Sequence, residues 1–216
     1  MDIYRLYKPF LRRYRVQRLR LFYDLFDIHR RDTLLDVGGS PYFWELGQEL
    51  GFPVPRVTIL NLGSAPPGLN STTQWVTGDA RSLPFMDRSF DYVFSNSVIE
   101  HVGNEDSQLK MAQEVRRVGR NYFVQTPDPR FPVEPHLLTP FIHWLPPRLY
   151  ARLVPGFTFR HCLNGSPADD AEQLGIRLLG KNQMKTLFPD AKIIVEIAAG
   201  WPKSLIAFRR SEQGNP

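Results

Sequence analysis

Four apolar runs each end in a short polar turn, and each turn carries side chains that could hold a ligand. Thr33-Leu34-Leu35-Asp36-Val37 runs into Gly38-Gly39-Ser40-Pro41, and Ile59-Leu60 into Asn61-Leu62. Gln74-Trp75-Val76 leads to Gly78-Asp79-Ala80, and Tyr92-Val93-Phe94 to Ser95-Asn96-Ser97. Gly38 and Gly39 allow a tight turn and leave no Cβ between backbone and ligand. Ser40 suits a helix N-cap and Pro41 the first helical position. A helix starting there offers free N–H groups to a carboxylate. Asp36 beside it could neutralise an ammonium, directly or through water. Asn61 can both accept and donate, which suits ribose hydroxyls. Asp79 can accept from an exocyclic amine. The glycines do not form a dinucleotide fingerprint, which would need glycine where Ser40 and Phe43 stand.

Such turns need a scaffold that sets them side by side. Strands are expected over Thr33–Val37, Val57–Leu60, Gln74–Val76, Tyr92–Ser95 and Tyr122–Gln125. Helices are expected over Pro41–Leu50, Ile99–Val102 and Asp106–Val118, with Gly119 as a C-terminal stop. Alternation of this kind implies a parallel sheet with helices on both faces and ligands at its carboxyl edge. Asn182–Phe188 reads as a helix, and Lys192–Ile197 and Ser204–Arg209 as strands joined by a hairpin-like return through Ala198–Pro202. The expected fold is α/β: a seven-stranded, mostly parallel sheet with one antiparallel strand.

The chain of 216 residues is long enough for one sizeable core. It divides into a basic helical arm (1–31), a ligand-binding core (32–127), an aromatic and proline-rich insertion (128–180) and a closing helix and strand pair (181–216). The net charge of +5 is concentrated in the arm, where nine Lys and Arg face three Asp. The remainder is close to neutral, which argues against a nucleic-acid groove through the body. Within the arm, Ile3, Leu6, Tyr7, Phe10, Leu11 and Tyr14 recur at helical spacing, and a second short helix is expected over Arg20–Ile28. A helix packed on the core with a solvated basic face is one reading. Contact with an anionic membrane surface, or with an anionic substrate tail, is the other. Cys162 stands alone, so no internal disulfide or Cys pair for a metal is expected. No apolar run approaches a membrane span.

The joint pattern Asp36-Val37-Gly38-Gly39, Gly78-Asp79-Ala80-Arg81-Ser82-Leu83-Pro84-Phe85 and Phe90-Asp91-Tyr92-Val93-Phe94-Ser95-Asn96-Ser97-Val98-Ile99-Glu100-His101-Val102 resembles class I S-adenosylmethionine-dependent methyltransferases, in particular the type 11 methyltransferase-domain group. The opening Asp36–Trp44, the stretch Val124–His136 and the ending Lys203–Arg210 look like a bacterial subgroup of that group. The resemblance covers about residues 33–209. It implies an enzyme acting on a small molecule, with S-adenosylmethionine as cofactor; the lone cysteine and the basic N-terminal segment lead to the expectation of a cytoplasmic protein, peripheral to the inner face of the membrane on the second reading of the arm. Asp36, Gly38, Gly39 and Ser40 would line its methionine end, Asn61 and Leu62 its ribose, Asp79 and Ala80 its adenine, and Ser95 and Asn96 the space under the transferable methyl. Two positions depart from the group's pattern: Ser40 replaces a glycine, and Asn61 replaces an acid.

Methyl transfer from a sulfonium has an excellent leaving group, so the protein mainly positions the reactants and deprotonates an oxygen or nitrogen acceptor where needed. His101, Glu134 and His136 are the base candidates. A Glu-x-x-Glu-His metal pattern is broken by Ser97, and no metal is expected. In the insertion, Phe131, Leu137, Leu138, Phe141, Ile142 and Trp144 could wall an apolar substrate pocket under a lid, or pack as a small subdomain. A hydroxyl acceptor is expected, with a glycan or lipid-linked precursor as a candidate. The alternatives are a cofactor-binding protein without catalysis and a nicotinamide-dependent oxidoreductase.

Overall fold

A computed structural model describes residues 3–70, 72–134, 139–157 and 175–211, with side chains from residue 12 onward except those of 134, 147 and 155–157. In chain order the elements are α1 (Ile3–Leu25), β1 (Thr33–Val37), α2 (Pro41–Glu49), β2 (Arg56–Asn61), β3 (Thr73–Thr77), β4 (Phe90–Asn96), a 3-10 turn (Ile99–His101), α3 (Glu105–Val118) and β5 (Gly119–Pro127). Then come a short hairpin of β6 (Val133–Glu134) and β7 (Thr139–Pro140), a 3-10 turn (Ile142–Trp144), α4 (Pro147–Phe157), α5 (Lys181–Leu187), β8 (Lys192–Ala198) and β9 (Trp201–Arg209).

Seven strands form one sheet in the order β3-β2-β1-β4-β5-β9-β8. β1 to β5 pair in parallel, and β9 runs antiparallel to both β5 and β8. Successive side chains on a strand point to opposite faces, and the two faces are filled differently. Leu34, Ile59, Phe94 and Phe123 face α1 and α2, where they meet Leu19, Phe22, Phe26, Phe43 and Trp44. This layer is aromatic: Phe22 lies 5.1 Å from Phe94, which stacks on Phe123 at 5.3 Å. Leu35, Val37, Val93 and Val124 face α3 and α5 and meet Met111, Val115, Met184 and Phe188.

Helix α1 runs unbroken where two helices were expected. No glycine or proline interrupts residues 10–25, and the arginines in that stretch are strong helix formers. Its second half is core rather than a detached arm, because Leu19 and Phe22 are fully buried. Gly119 ends α3 without a left-handed residue: its φ is −95° and the chain passes straight into β5. Glycine is needed there for packing, since a Cβ would come within 2.6 Å of Val93 Cγ2. The β8–β9 hairpin turns on Ala199 (φ 49°) and Gly200 (φ 80°), two left-handed residues that match the twist of the strands. Its ladder slips once. Glu196 pairs with Ser204 and Ile197 with Pro202, so Lys203 is the extra residue of a bulge.

Candidate functional site

The turns after β1, β2, β3 and β4 meet at the carboxyl edge of the sheet and open into two adjoining lobes of about 460 Å³ each. Gly38, Asn61 and Ser97 line both. The first lobe extends past Asp36, Gly39, Ser40 and Asn96 toward α1 and the start of β9. The second extends past Leu62, Asp79, Ala80 and His101.

The floor of the first lobe is built around Asp36, which is 1% exposed. Trp44, one helical turn into α2, donates from Nε1 to Asp36 Oδ2 at 2.8 Å. Oδ1 is buried without a hydrogen-bond partner among the described residues. Burial, partly offset by the Trp44 bond, pushes the carboxyl up to about 7. Both glycines are sterically required. A Cβ on Gly39 would fall 1.8 Å from Asp36 Oδ2, and one on Gly38 (φ 73°) would fall 2.5 Å from Val98 Cγ2. Ser40 is the extended N-cap of α2, and its hydroxyl makes no capping bond, which leaves it available at the lobe wall.

Asn61 bridges the two lobes. Its Nδ2 donates to Gly39 O at 3.0 Å and its Oδ1 accepts from Leu62 N at 2.8 Å, leaving one hydrogen and one lone pair for a ligand. Asp79 sits on the wall of the second lobe, gripped by Arg81 at 2.5 Å, and the hydrogen bonds from Arg81 hold its carboxyl below the ordinary range. Leu62 is 75% exposed beside it. His101 also lines this lobe, with Nε2 3.9 Å from the buried Glu100 carboxylate.

Ser95 and Asn96 part ways. Ser95 is fully buried on neither wall and donates to Val37 O at 3.2 Å, tying β4 to β1. Asn96 lines the first lobe and accepts from Arg18 Nη1 at 2.5 Å. Ser97, in the left-handed region at φ 57°, donates its hydroxyl to Gln125 Oε1 at 2.9 Å, and both side chains face the lobe.

The far end of the first lobe holds residues that sequence reading did not single out. Arg18, 6% exposed, donates to Asn96, to Glu196 Oε2 at 2.7 Å and to Ser204 Oγ at 3.4 Å. Burial opposes ionisation of Glu196, but the charge and hydrogen bond of Arg18 outweigh it and hold the carboxyl below its ordinary range. Lys203 Nζ lies 3.4 Å from the centre of the Tyr14 ring. Burial, and then the charge of Arg18, push that ammonium down to about 8. Arg15 lies over the Tyr42 ring at 5.1 Å, nearer the Gly39–Ser40 side. Tyr14, Arg15, Tyr42, Lys203 and Ser204 all line the lobe.

Of the insertion, Phe131 lines the first lobe. Ile142 packs with Val154 in a small cluster of its own, while Phe141 and Trp144 stay exposed. Glu134 belongs to β6, but its side chain lies outside the described residues, as do His136, Leu137 and Leu138. Among the described residues, no group of three or more His, Cys, Asp or Glu side chains could hold a metal ion. No described helix is long and apolar enough to cross a membrane.

Residues 59–122 match the family profile described as methyltransferase domain. That segment carries the turns after β2, β3 and β4. Among solved structures, an S-adenosylmethionine-dependent methyltransferase from Aquifex aeolicus is 11% identical and superposes with a TM-score of 0.50, covering 88% of each chain. A phosphoethanolamine N-methyltransferase from Haemonchus contortus, solved with S-adenosylmethionine, is 13% identical with a TM-score of 0.54, over 83% of this chain and 38% of that one. A candidate methyltransferase from an antibiotic biosynthesis pathway of Anabaena variabilis is 18% identical with a TM-score of 0.52, over 84% of this chain and 64% of its own length. The fold is that of a class I methyltransferase. The domain match falls on the turns that line the site. The present chain spans less than two thirds of the Anabaena and Haemonchus proteins. No match was found among proteins of curated function.

Proposed function

We propose that this protein transfers a methyl group from S-adenosylmethionine to a hydroxyl oxygen of a small molecule entering through the first lobe. The observation that carries the reading is Asp36: a buried carboxyl with one oxygen unpartnered, set against a glycine pair at the opening of the lobe. Leaving such an atom unsatisfied costs about 1–3 kcal/mol, and a ligand ammonium would remove that cost. The residues present therefore fit the cofactor. Asp36 and Ser40 would take its amino-acid end, Asn61 a ribose hydroxyl, and Asp79 with Ala80 and Leu62 the base. The cofactor, when bound, supplies a methyl group on a sulfonium that departs readily.

The work left to the chain is orientation. Ser97 and Gln125 hold each other at the junction of the lobes and offer neutral polar groups to an acceptor hydroxyl. Such groups orient an alcohol without demanding a charge. Deprotonation falls to a side chain within reach of that hydroxyl. His101 is the candidate on a described wall, and Glu134 and His136 remain candidates from the loop that follows β5. A kcat that falls in His101→Asn with the acid limb of its pH profile removed supports His101; an unchanged profile removes it.

The exposed Phe141, Trp144 and Trp201, with Trp144 6.3 Å from Trp201, favour an amphiphilic acceptor such as a lipid-linked precursor, met at an anionic membrane surface. Sedimentation with anionic vesicles tests that contact. Its deletion variant must retain Val16 onward, because the rest of α1 is core.

The first experiment is calorimetric titration with S-adenosylhomocysteine, with NAD as the paired control, repeated on Asp79→Ala. Binding of the first ligand alone, weakened in the variant, supports the reading and opens an acceptor screen. Binding of NAD instead overturns it.

A further inference from the structure

At the acceptor end of the first lobe, three charged groups come together from opposite ends of the chain: Arg18 on α1, Glu196 on β8 and Lys203 on β9. Their partners are unevenly shared. Arg18 donates through its terminal nitrogens to Asn96, Glu196 and Ser204, and Ser204 donates to Glu196, while Arg18 Nε is buried without a hydrogen-bond partner among the described residues. Lys203 accepts no such arrangement: among the described residues its ammonium makes a contact with the face of Tyr14 and no hydrogen bond. The cluster carries one more positive than negative charge, and it lies in a lobe whose remaining wall here is Gln125, Pro127 and Phe131.

The backbone places Lys203 there deliberately. In a regular ladder Lys203 would pair across to β8, but the bulge leaves it without a partner residue and re-aims the side chain. Both Lys203 and its neighbour Ser204 line the lobe, although successive residues on a regular strand point to opposite faces. The backbone oxygen of Lys203 is fixed by Asp128 N at 3.0 Å, which anchors the bulge to the end of β5. An ammonium held half-buried beside a guanidinium is unfavourable on its own. Glu196 offsets only one of the two positive charges, so an anion in the lobe would balance the cluster.

We propose that Lys203 seats an anionic group of the acceptor, a carboxylate or a phosphate, and so fixes which end of the acceptor faces the methyl donor. This inference rests on the reading of the first lobe as the acceptor entry. A lysine is a compact point charge with three donors and suits either group. Arg15 stands apart over Tyr42, on the Gly39–Ser40 side, so the two cations mark different ends of the lobe.

The test uses the full chain and two probes, inorganic phosphate and acetate, each titrated at constant ionic strength against chloride with thermal stability as readout. Wild type is expected to gain several degrees with at least one probe. Lys203→Gln is expected to lose that gain and Lys203→Arg to keep part of it. The probe that acts distinguishes a phosphorylated acceptor from a carboxylic acid. An equal gain in wild type and Lys203→Gln places the ion elsewhere and overturns the proposal, as does the absence of a gain with either probe in wild type. Circular dichroism of both variants establishes that they fold, and Lys203→Arg carries the test if Lys203→Gln does not. Binding of S-adenosylhomocysteine is measured separately. Its failure removes the methyl-transfer reading while leaving the anion result to stand or fall alone.

Discussion

The two lobes of the site differ in what they have already settled. In the second lobe the polar side chains are paired: Asp79 with Arg81, Asn61 with Gly39 and Leu62. In the first, among the described residues, Asp36 keeps an unfilled oxygen, Arg18 Nε lacks a partner and Lys203 has an ammonium without a hydrogen bond. The paired lobe is shaped in advance and exposed, so a ligand there gains mostly contact and trades one hydrogen bond for another. The unpaired lobe stores desolvated charge that only a ligand relieves, so binding there is sensitive to charge and pH. On the proposed reading, orientation of the reactants is concentrated in the first lobe.

The sharpest way to break this contrast is Gly39→Ala. The new Cβ must displace the Asp36 carboxyl, which is buried and held by Trp44. Overpacking of this kind costs about 3 kcal/mol at the upper end, or roughly 100-fold in S-adenosylhomocysteine affinity by calorimetry. Asp36→Asn comes next. Loss of a charge-assisted bond to the ligand ammonium is expected to cost about 2 kcal/mol, roughly 30-fold at pH 8.

The same residue predicts a pH dependence. Its folded carboxyl, raised to about 7, lies above the unfolded value of about 4. The contribution of Asp36 to stability is therefore complete below about pH 4 and is lost as pH rises through about 7. Melting temperature of the ligand-free protein should fall over that window, with a flatter profile in Asp36→Asn. An ammonium docking beside Asp36 favours the carboxylate, so binding at pH 6 should release a proton. Calorimetry in two buffers of different ionisation heat reads that release, and its absence would separate Asp36 from the ligand.

Smaller effects belong to the paired lobe. Asp79→Ala is expected to weaken S-adenosylhomocysteine about fivefold, the scale of one ordinary hydrogen bond. Arg81→Ala should change affinity by less than about twofold, because an exposed ion pair contributes little. A larger loss in Arg81→Ala than in Asp79→Ala would reverse the comparison and make the arginine the nucleoside ligand.

Much of the second lobe was legible because its information is local. Asn61 and Leu62 stand at the end of β2, and Asp79 and Ala80 just beyond β3, and a strand followed by a polar turn can be read within ten residues. The floor of the first lobe was half legible. Asp36 and the glycines follow β1, but Trp44 reads as an apolar residue of α2 until its indole N–H is seen on Asp36. Ser95 was misleading for the opposite reason: one position from Asn96, it points to the β1 backbone rather than into the lobe, as alternation along a strand requires. The end of the first lobe that holds Arg18 and Lys203 was not legible at all. Arg18 sits among several arginines with nothing local to mark it as buried, and its partner lies 178 positions away. Lys203 depends on a one-residue slip in the β8–β9 ladder, which strand periodicity cannot register.

The pairing of Arg18 with Glu196 also constrains how the chain is made. Glu196 leaves the ribosome 178 residues after Arg18, an interval of roughly 9–36 s at the usual rates of 5–20 residues per second. Throughout that interval the first helix can settle on the growing sheet only with a guanidinium that has no counter-charge, a penalty on the scale of about 3–5 kcal/mol when buried. Docking of the helix and closure of the β8–β9 hairpin should therefore be one event, and the first lobe should come into being only after both strands of that hairpin have been made. A chain truncated before β8 would hold the turns after β1 to β4 and yet lack the wall that Lys203 and Ser204 give the first lobe.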